Sequence, residues 1–328
     1  MKMKKLITIG IAAATLLTAC KSELIENSPE NAIEFNAFLN NITRSDISGN
    51  GTEFAVYGIT KDKEGQVESL FDRRQISGNG TSWSYTPIEF WTKDNAYRFS
   101  AFHPFEGNWL LEDWSDSEEK SRGILYFNNE KAAGQEDLLM AIMDRDPVKE
   151  PSIEPTVDFN FNHQLSRIYF RFENGYPENA AYSLKISDIR LYDVISDGTM
   201  DITSETAVWS TGDDRTEFAL TLENEKILHP STRETVRTHS RFIIPSELPM
   251  TVEFSVSLYL NDGKDKVTTY RHRIELPRIE MKKGFSYDLK AVIDEYNTNP
   301  EDSNAPLKFI VNEIEQWEET PETGEGQI

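Results

Sequence analysis

VDFNFNHQLSRIYFRFE, from Val157 to Glu173, is the longest run of strand-like sequence in the chain and lies close to its midpoint. Phe159 and Phe161 share one face, while Ile168, Phe170 and Phe172 alternate in the opposite phase. Leu165 stands three residues before Ile168, so the alternation slips by one. A β-bulge or sharp bend near His163–Ser166 absorbs that slip and keeps every apolar side chain on a core. A strand that bends there leaves one sandwich and enters a second. The stretch is therefore read as the hinge line between two β-domains.

Outward from this line the chain keeps the same idiom. With 328 residues, 38% hydrophobic and 27% charged, it is long enough for two ordinary cores. Its 18 Phe, 12 Tyr and 6 Trp suit strands better than helices. Upstream, short aromatic strands (Phe54–Ile59, Trp83–Thr86, Glu89–Trp91, Tyr97–Phe102 and Ile124–Phe127) are broken by Pro, Gly-Asn-Gly and Lys-Asp-Asn turns. Gln135–Ala141 is read as a single helical turn or a strand entry. Pro147, Pro151 and Pro155 form a stiff connection and set the domain boundary near residue 155. Downstream, Tyr182, Leu184 and Ile186, then Ile189 and Leu191, mark a strand pair. Val252–Leu258 turns at Asn261–Gly263 into a hairpin returning through Tyr270 and Ile274. A polar linker over 297–306 releases a last apolar segment ending at Trp317, and the acidic tail beyond it has too few apolar residues to order itself.

Lys2, Lys4 and Lys5 precede an apolar run, Leu6 to Leu17, that is too short for a stop-transfer helix. The run ends in Leu17-Thr18-Ala19-Cys20, the pattern of a bacterial lipobox, so Cys20 is the expected lipidation site. Cys20 is the only cysteine, which excludes a disulfide within one chain. Loss of the signal would take the net charge from −22 to −25, since three lysines and no acids leave with it. That balance argues against nucleic-acid partners, which select basic faces.

The expected division is 1–19 signal peptide, 20–44 tether and first strand, 45–155 first sandwich, 156–300 second sandwich, and 301–328 linker, terminal strand and tail.

Catalytic and metal chemistry find no support. The five histidines (103, 163, 229, 239 and 272) are scattered, and no HExxH, G-x-S-x-G, Walker loop or G-x-G-x-x-G is present. His163 beside the bend reads as a histidine hydrogen-bonded inside a sandwich. The acidic loop 113–120 matches no EF-hand spacing. No cofactor and no metal are expected, and no enzyme. Trp109 and Trp114, near that loop, are candidates for stacking on a sugar.

Taken in order, several of these pieces resemble the Bacteroidales fimbrillins, two-domain lipoprotein pilins and their tip adhesins, over nearly the whole chain beyond the signal. The resemblance rests on the lipobox at Cys20, on Thr43-Arg44-Ser45 after the first strand, and on Trp83…Tyr85…Pro87…Trp91…Tyr97-x-Phe99-x-Ala101-x-x-Pro104. It continues in Gln135-x-Asp137-Leu138-Leu139, Phe161-x-His163-x-Leu165-Ser166, Ile244-Pro245, Gly284-x-x-Tyr287 and the terminal strand ending at Trp317. One departure is Ser246 after Pro245, where glutamine is expected.

The resemblance implies an all-β fold of two tandem transthyretin-like Greek-key sandwiches, and an outer-membrane lipoprotein that passes to the cell surface or fimbrium. It implies that a trypsin-like protease cuts between Arg44 and Ser45, that the first strand (Ile33, Phe35, Ala37, Leu39) is removed, and that another subunit's terminal strand fills the groove. The candidate donor is Leu307, Phe309, Val311, Ile314 and Trp317. The residues agree, since Ile33-x-Phe35-x-Ala37 and Leu307-x-Phe309-x-Val311 share one spacing and each could dock on a sheet that lacks a strand. The expected partners are other fimbrial subunits. The alternative is a tip adhesin or monomeric surface lipoprotein that binds a host glycan or protein and keeps its tail packed.

Overall fold

The computed structural model describes residues 29–39, 52–78, 82–112, 114, 123–129, 137–153, 156–202, 207–230, 234–247, 249–260, 263–301 and 305–316. Among them, all regular structure apart from two 3₁₀ turns is β. The chain runs through β1 (Phe35–Leu39), β2 (Thr52–Lys61), β3 (Val67–Gly78), β4 (Trp83–Ser84), β5 (Ala96–His103), β6 (Trp109–Glu112), β7 (Gly123–Asn128), β8 (Leu139–Arg145) and β9 (Val157–His163). It continues with β10 (Ser166–Asn174), β11 (Tyr182–Ile195), β12 (Asp197–Ile202), β13 (Ala207–Thr211), β14 (Arg215–Leu220), β15 (Thr235–Arg237) and β16 (Arg241–Ile243). The last four are β17 (Thr251–Leu260), β18 (Lys266–Glu275), β19 (Phe285–Ile293) and β20 (Phe309–Gln316).

The first body is a seven-stranded sheet in the order β1-β9-β8-β5-β2-β3-β4. It curls until its ends meet. Ala32 bridges Phe90 across the seam, and the Ile33 amide donates to the Glu89 carbonyl at 2.9 Å. Both faces of β2 are buried, as the run Phe54-Ala55-Val56-Tyr57 shows residue by residue. Phe54 and Val56 face the inside of the curl, with Phe71, Phe99, Phe159 and Phe161. Ala55 and Tyr57 face outward, against Trp109, Leu111, Leu125, Phe127, Met200 and Ile202. Those outer residues belong to a four-stranded sheet, β13-β12-β7-β6, drawn from both halves of the chain.

The second body is a sandwich. A sheet ordered β15-β10-β19-β20, with β16 also on β10, packs on β14-β11-β17-β18 around Phe170, Phe172, Phe254, Tyr287 and Leu289.

The Val157–Glu173 stretch joins the two bodies as its alternation predicts. Val157, Phe159 and Phe161 lie in the first core, Leu165 lies under the mixed sheet, and Ile168, Phe170 and Phe172 lie in the second core. The phase slip becomes a break at Gln164–Leu165, where backbone groups find partners on both sides. The Gln164 amide donates to Leu138 O at 2.9 Å, Trp209 Nε1 to Gln164 O at 2.7 Å, and the Gly284 amide to Leu165 O at 2.8 Å. Such pairing is required of polar backbone in so buried a place.

The boundary expected near residue 155 is corrected by this geometry. β9 pairs with β1 and β8, so the chain crosses at Gln164–Leu165. The proline-rich connector joins two strands of one sheet, and a stiff polar connector reads the same in either role. A second correction concerns Tyr182–Leu191. Instead of a strand pair it lies within the single long strand β11, whose register shifts between Ser187 and Arg190 and again between Leu191 and Val194. Asp188 and Asp193 take φ of 53° and 64° at these bulges, a conformation that Asp tolerates better than bulkier residues. The bulges keep Ile186, Ile189, Leu191 and Val194 in one core despite their odd spacing. At Gln135–Ala141 the strand-entry reading holds from Leu139 onward.

Phe172 is fully buried, 4.8 Å from Phe254 and 5.7 Å from Phe309 between ring centroids. Phe172→Ala is expected to destabilise the protein by about 3–5 kcal/mol in urea titrations. A loss below about 1 kcal/mol would contradict its place in the second core.

Candidate functional site

The site is built from the two ends of the described chain. β1 is the terminal strand of the curled sheet, paired parallel to β9 from Phe35↔Val157 to Leu39↔Phe161. Parallel pairing leaves its carbonyls and amides to slanted bonds, and the Val157 amide donates to Glu34 O at 2.8 Å. On its other side the chain just before β1 is held by the 85–91 segment. Trp91 N donates to Asn31 O at 2.9 Å, and the Tyr85 hydroxyl donates to Ile33 O at 2.8 Å.

Ile33, Phe35 and Ala37 point inward and are buried. The Phe35 ring lies 5.4 Å from both Phe71 and Tyr85, 5.5 Å from Phe159 in a stacked pair, and 6.0 Å from Phe99. Four aromatic neighbours around one ring form a preshaped pocket, and filling it is worth about 1.5–3 kcal/mol from area alone. Burial pushes the Tyr85 phenol up to about 12, which keeps it a hydrogen-bond donor to Ile33. Burial likewise raises the Glu89 carboxyl, opposed by the Arg74 guanidinium 3.8 Å away.

β20 is the edge strand of its sheet, antiparallel to β19. Its beginning is embedded, with Leu307 and Phe309 buried and Phe309 lying 5.3 Å from Phe170 and 6.0 Å from Phe254. Beyond Phe309 every residue of the strand is exposed, including Val311 at 38% and Ile314 at 49%. The register shifts opposite Asp288 and Leu289, setting Asn312 as an extra residue. Its Nδ2 donates to Asp288 Oδ2 at 3.0 Å, and Arg171 donates to the same oxygen through Nε and Nη2 at 2.9 and 2.6 Å. Asp288 is completely buried, so this pair and amide latch β20 to the sheet in one register.

The polar linker over 297–306 is anchored at its start, contrary to the expectation of a free connection. Thr298 is buried, its hydroxyl donates to Asp294 O at 2.5 Å, and Tyr176 donates to that hydroxyl at 3.0 Å. His272 Nε2 donates to Thr298 O at 3.0 Å while its ring stacks on Phe254 at 5.2 Å.

Of the candidate site residues, Ile33, Phe35 and Ala37 come together with Tyr85 in the seam, and Leu307 and Phe309 sit in the other core. Cys20, Arg44, Ser45 and Trp317 lie outside the described residues. Trp109 is corrected: it is 5% exposed, donates through Nε1 to Pro104 O at 2.9 Å and is capped by the Arg73 guanidinium 5.0 Å away, so no sugar can stack on it. Trp114 is half-buried, 6.3 Å from Tyr57, and its Nε1 has no hydrogen-bond partner among the described residues. His163 is buried and hydrogen-bonded to Asp137, as its setting in the sandwich suggested. The Asp288–Asn312 latch and the Thr298 anchor had no sequence signal, because each depends on a register that composition does not encode.

A profile of the Fimbrillin-like family matches residues 41–317, which is most of the chain. The chain belongs to the Fimbrillin-like family. This fimbrillin-like chain is also similar in fold to a fimbrial protein from Bacteroides vulgatus, with a TM-score of 0.61 at 14% identity, covering 88% of this chain and 100% of that one. A cell-adhesion candidate from Bacteroides ovatus superposes at 0.51 with 14% identity, over 88% of this chain and 98% of its own. Another from Bacteroides uniformis gives 0.50 at 13% identity, over 88% and 99%. No curated protein matches the fimbrillin-like sequence.

Burial lowers the pKa of His272 and of His103, each held by a backbone carbonyl acceptor. The unfolded chain therefore binds more protons than the folded one below the ordinary histidine value of about 6.5. Their contribution to stability is intact above about pH 6.5 and is lost as pH falls toward the depressed folded values. Urea midpoints should drop between pH 7.5 and pH 5.5, and the drop should shrink in His272→Gln. An unchanged slope in that variant would remove His272 from the account.

Proposed function

We propose that this fimbrillin-like chain is a structural, non-catalytic subunit of a fimbrium. In this reading it is exported as a lipoprotein through Cys20 and held at the outer membrane. It is trimmed between Arg44 and Ser45 by a trypsin-like protease and joined to other fimbrial subunits by exchange of a terminal strand. Family membership supports the association with fimbriae and the cell surface.

The observation that carries the exchange is the seating of β1. Its residues upstream of Arg44 fill an aromatic seam, and only one edge of β1 runs along a neighbouring strand. Cutting after Arg44 severs β1 from the body at a point just beyond the strand. The vacated seam then exposes Phe71, Phe99, Phe159 and unpaired β9 backbone, which favour a replacement strand. The exposed Val311 and Ile314 support β20 as the donor, because they are apolar side chains without cover in the monomer.

A second reading has a specific observation behind it. Leu307 and Phe309 are buried in their own sandwich, as a tip adhesin or monomeric surface lipoprotein requires of a tail it never donates.

Trypsin treatment of the purified chain should yield SDS-resistant ladders, and Arg44→Ala should yield none. Val311→Lys with Ile314→Lys should leave monomer stability within about 0.5 kcal/mol, since both side chains are exposed, yet abolish the ladders. Cleavage without ladders in the unaltered chain would overturn the exchange and leave the adhesin. Ladders that persist in the double variant would move the donor elsewhere.

A further inference from the structure

The mixed sheet β13-β12-β7-β6 turns one face to the outer side of the curled sheet and the other to solvent. On the solvent face, cross-strand register places Leu110, Tyr126 and Thr199 in one row. Asn128 faces Asp197 in the next. These residues, with Asn108 at the rim, line a cleft of about 420 Å³. Leu110 is 48% exposed and Tyr126 41%. Leu110 and Tyr126 are directly opposite each other across the β6–β7 pair, so together they form an apolar step on the solvent face.

We propose that this cleft binds a neutral pyranose sugar. Same-face residues on β7 are about 6.6–6.8 Å apart, so Tyr126 and Asn128 span roughly one pyranose ring with its substituents. The apolar face of the sugar lies on Tyr126 beside Leu110. Its hydroxyls reach the carboxylate of Asp197, the amides of Asn128 and Asn108 and the hydroxyl of Thr199. Asp197 accepts the Ser196 hydroxyl at 3.2 Å on one oxygen, and a carboxylate has acceptor sites to spare. Both carboxylate oxygens lie over Gly212, where an added Cβ would come within 2.4 and 2.7 Å of them, so only glycine leaves room for the group there.

The lining also says what does not fit. Among the described residues no Lys or Arg lines the cleft, and Asp197 repels anions, which disfavours phosphate, sulfate and acidic sugars. β7 and β12, the floor of the cleft, are each paired on both sides, and the free edge of the sheet lies at its rim along β6. A volume of this order takes one or two sugar rings. The site is remote in sequence from β1 and β20 and does not rest on strand exchange.

Saturation-transfer NMR on the full uncleaved chain tests it, with the methyl pyranosides of glucose, galactose and mannose as probes and N-acetylneuraminic acid as the anionic comparator. At least one neutral glycoside should give transfer with a dissociation constant of about millimolar order. Tyr126→Ala should weaken it about tenfold or more, Tyr126→Phe should keep it within about threefold, and Asp197→Asn should weaken it about tenfold. Near-ultraviolet circular dichroism checks that each variant is folded, and Leu110→Asp serves as the test if Tyr126→Ala is not. No transfer from any neutral glycoside, equal transfer from the anionic sugar, or binding unchanged in Tyr126→Ala and Leu110→Asp would each overturn the proposal. None of these outcomes bears on ladder formation, so the two readings fail separately.

Discussion

An apolar seam in a curled sheet has to be covered, and the rest of the structure follows from how this one is. The seven-stranded sheet closes on itself only because β1 lies between β9 and the 85–91 segment, with Phe35 set among four rings. Without that strand, β9 would present an unpaired edge and Tyr85 would lose the Ile33 carbonyl. Both losses are expensive, since an exposed flat edge invites pairing and a buried hydroxyl needs an acceptor. Yet β1 is short, with five residues, and the seam grips its N-terminal side most firmly. It behaves as a plug held by side chains and a handful of backbone bonds rather than as a woven central strand.

β20 is held differently. Its apolar anchors enter the second core only through Leu307 and Phe309, and the remainder lies along β19 through ladder bonds and the Asn312–Asp288 contact. Glu313 and Glu315 stand close together on the exposed part, and a hydrogen bond with the Glu315 carboxyl, followed by their mutual repulsion, raises the Glu313 carboxyl. Like charges on an edge strand discourage unspecific pairing between sheets, one of the ordinary protections of such edges. The strand therefore joins a firmly rooted start to a weakly held end, and the Thr298 anchor fixes where that root begins.

Much of this fold could be read from the sequence, and the failures share one cause. The opposite phases of Phe159/Phe161 and Ile168/Phe170/Phe172 announced a change of core, and the structure makes it at Gln164–Leu165. The alternation of Ile33, Phe35 and Ala37 gave the plug its inward face. What alternation cannot report is the partner across the sheet. Trp109 reads as an exposed aromatic near an acidic loop, but pairing of β6 to β7 turns it inward and leaves Tyr126 outside. The prolines before Val157 read as a domain linker because nothing local tells that β9 will return to β1. Asp288 stands between the apolar Tyr287 and Leu289, and its burial against Arg171 and Asn312 depends on a register that the local sequence does not carry.

The two plugs are comparable enough for a replacement strand in the seam to be physically reasonable. Phe35 meets four aromatic rings within about 6 Å, and Phe309 meets three at 5.3, 5.7 and 6.0 Å. Each is flanked two residues upstream by a buried branched aliphatic, Ile33 or Leu307. An aromatic side chain leaving one such pocket for the other loses and gains similar area, so side-chain burial alone gives little net drive. Under the proposed exchange the drive must come from what the monomer leaves unsatisfied. Val311 and Ile314 are exposed apolar groups, and an emptied seam would add unpaired β9 backbone. Removal of β1 from the local competition also matters, since a tethered strand holds the seam at a high effective concentration that no separate chain can match. Under the proposed exchange, a cut downstream of β1 is therefore the step that would make replacement favourable.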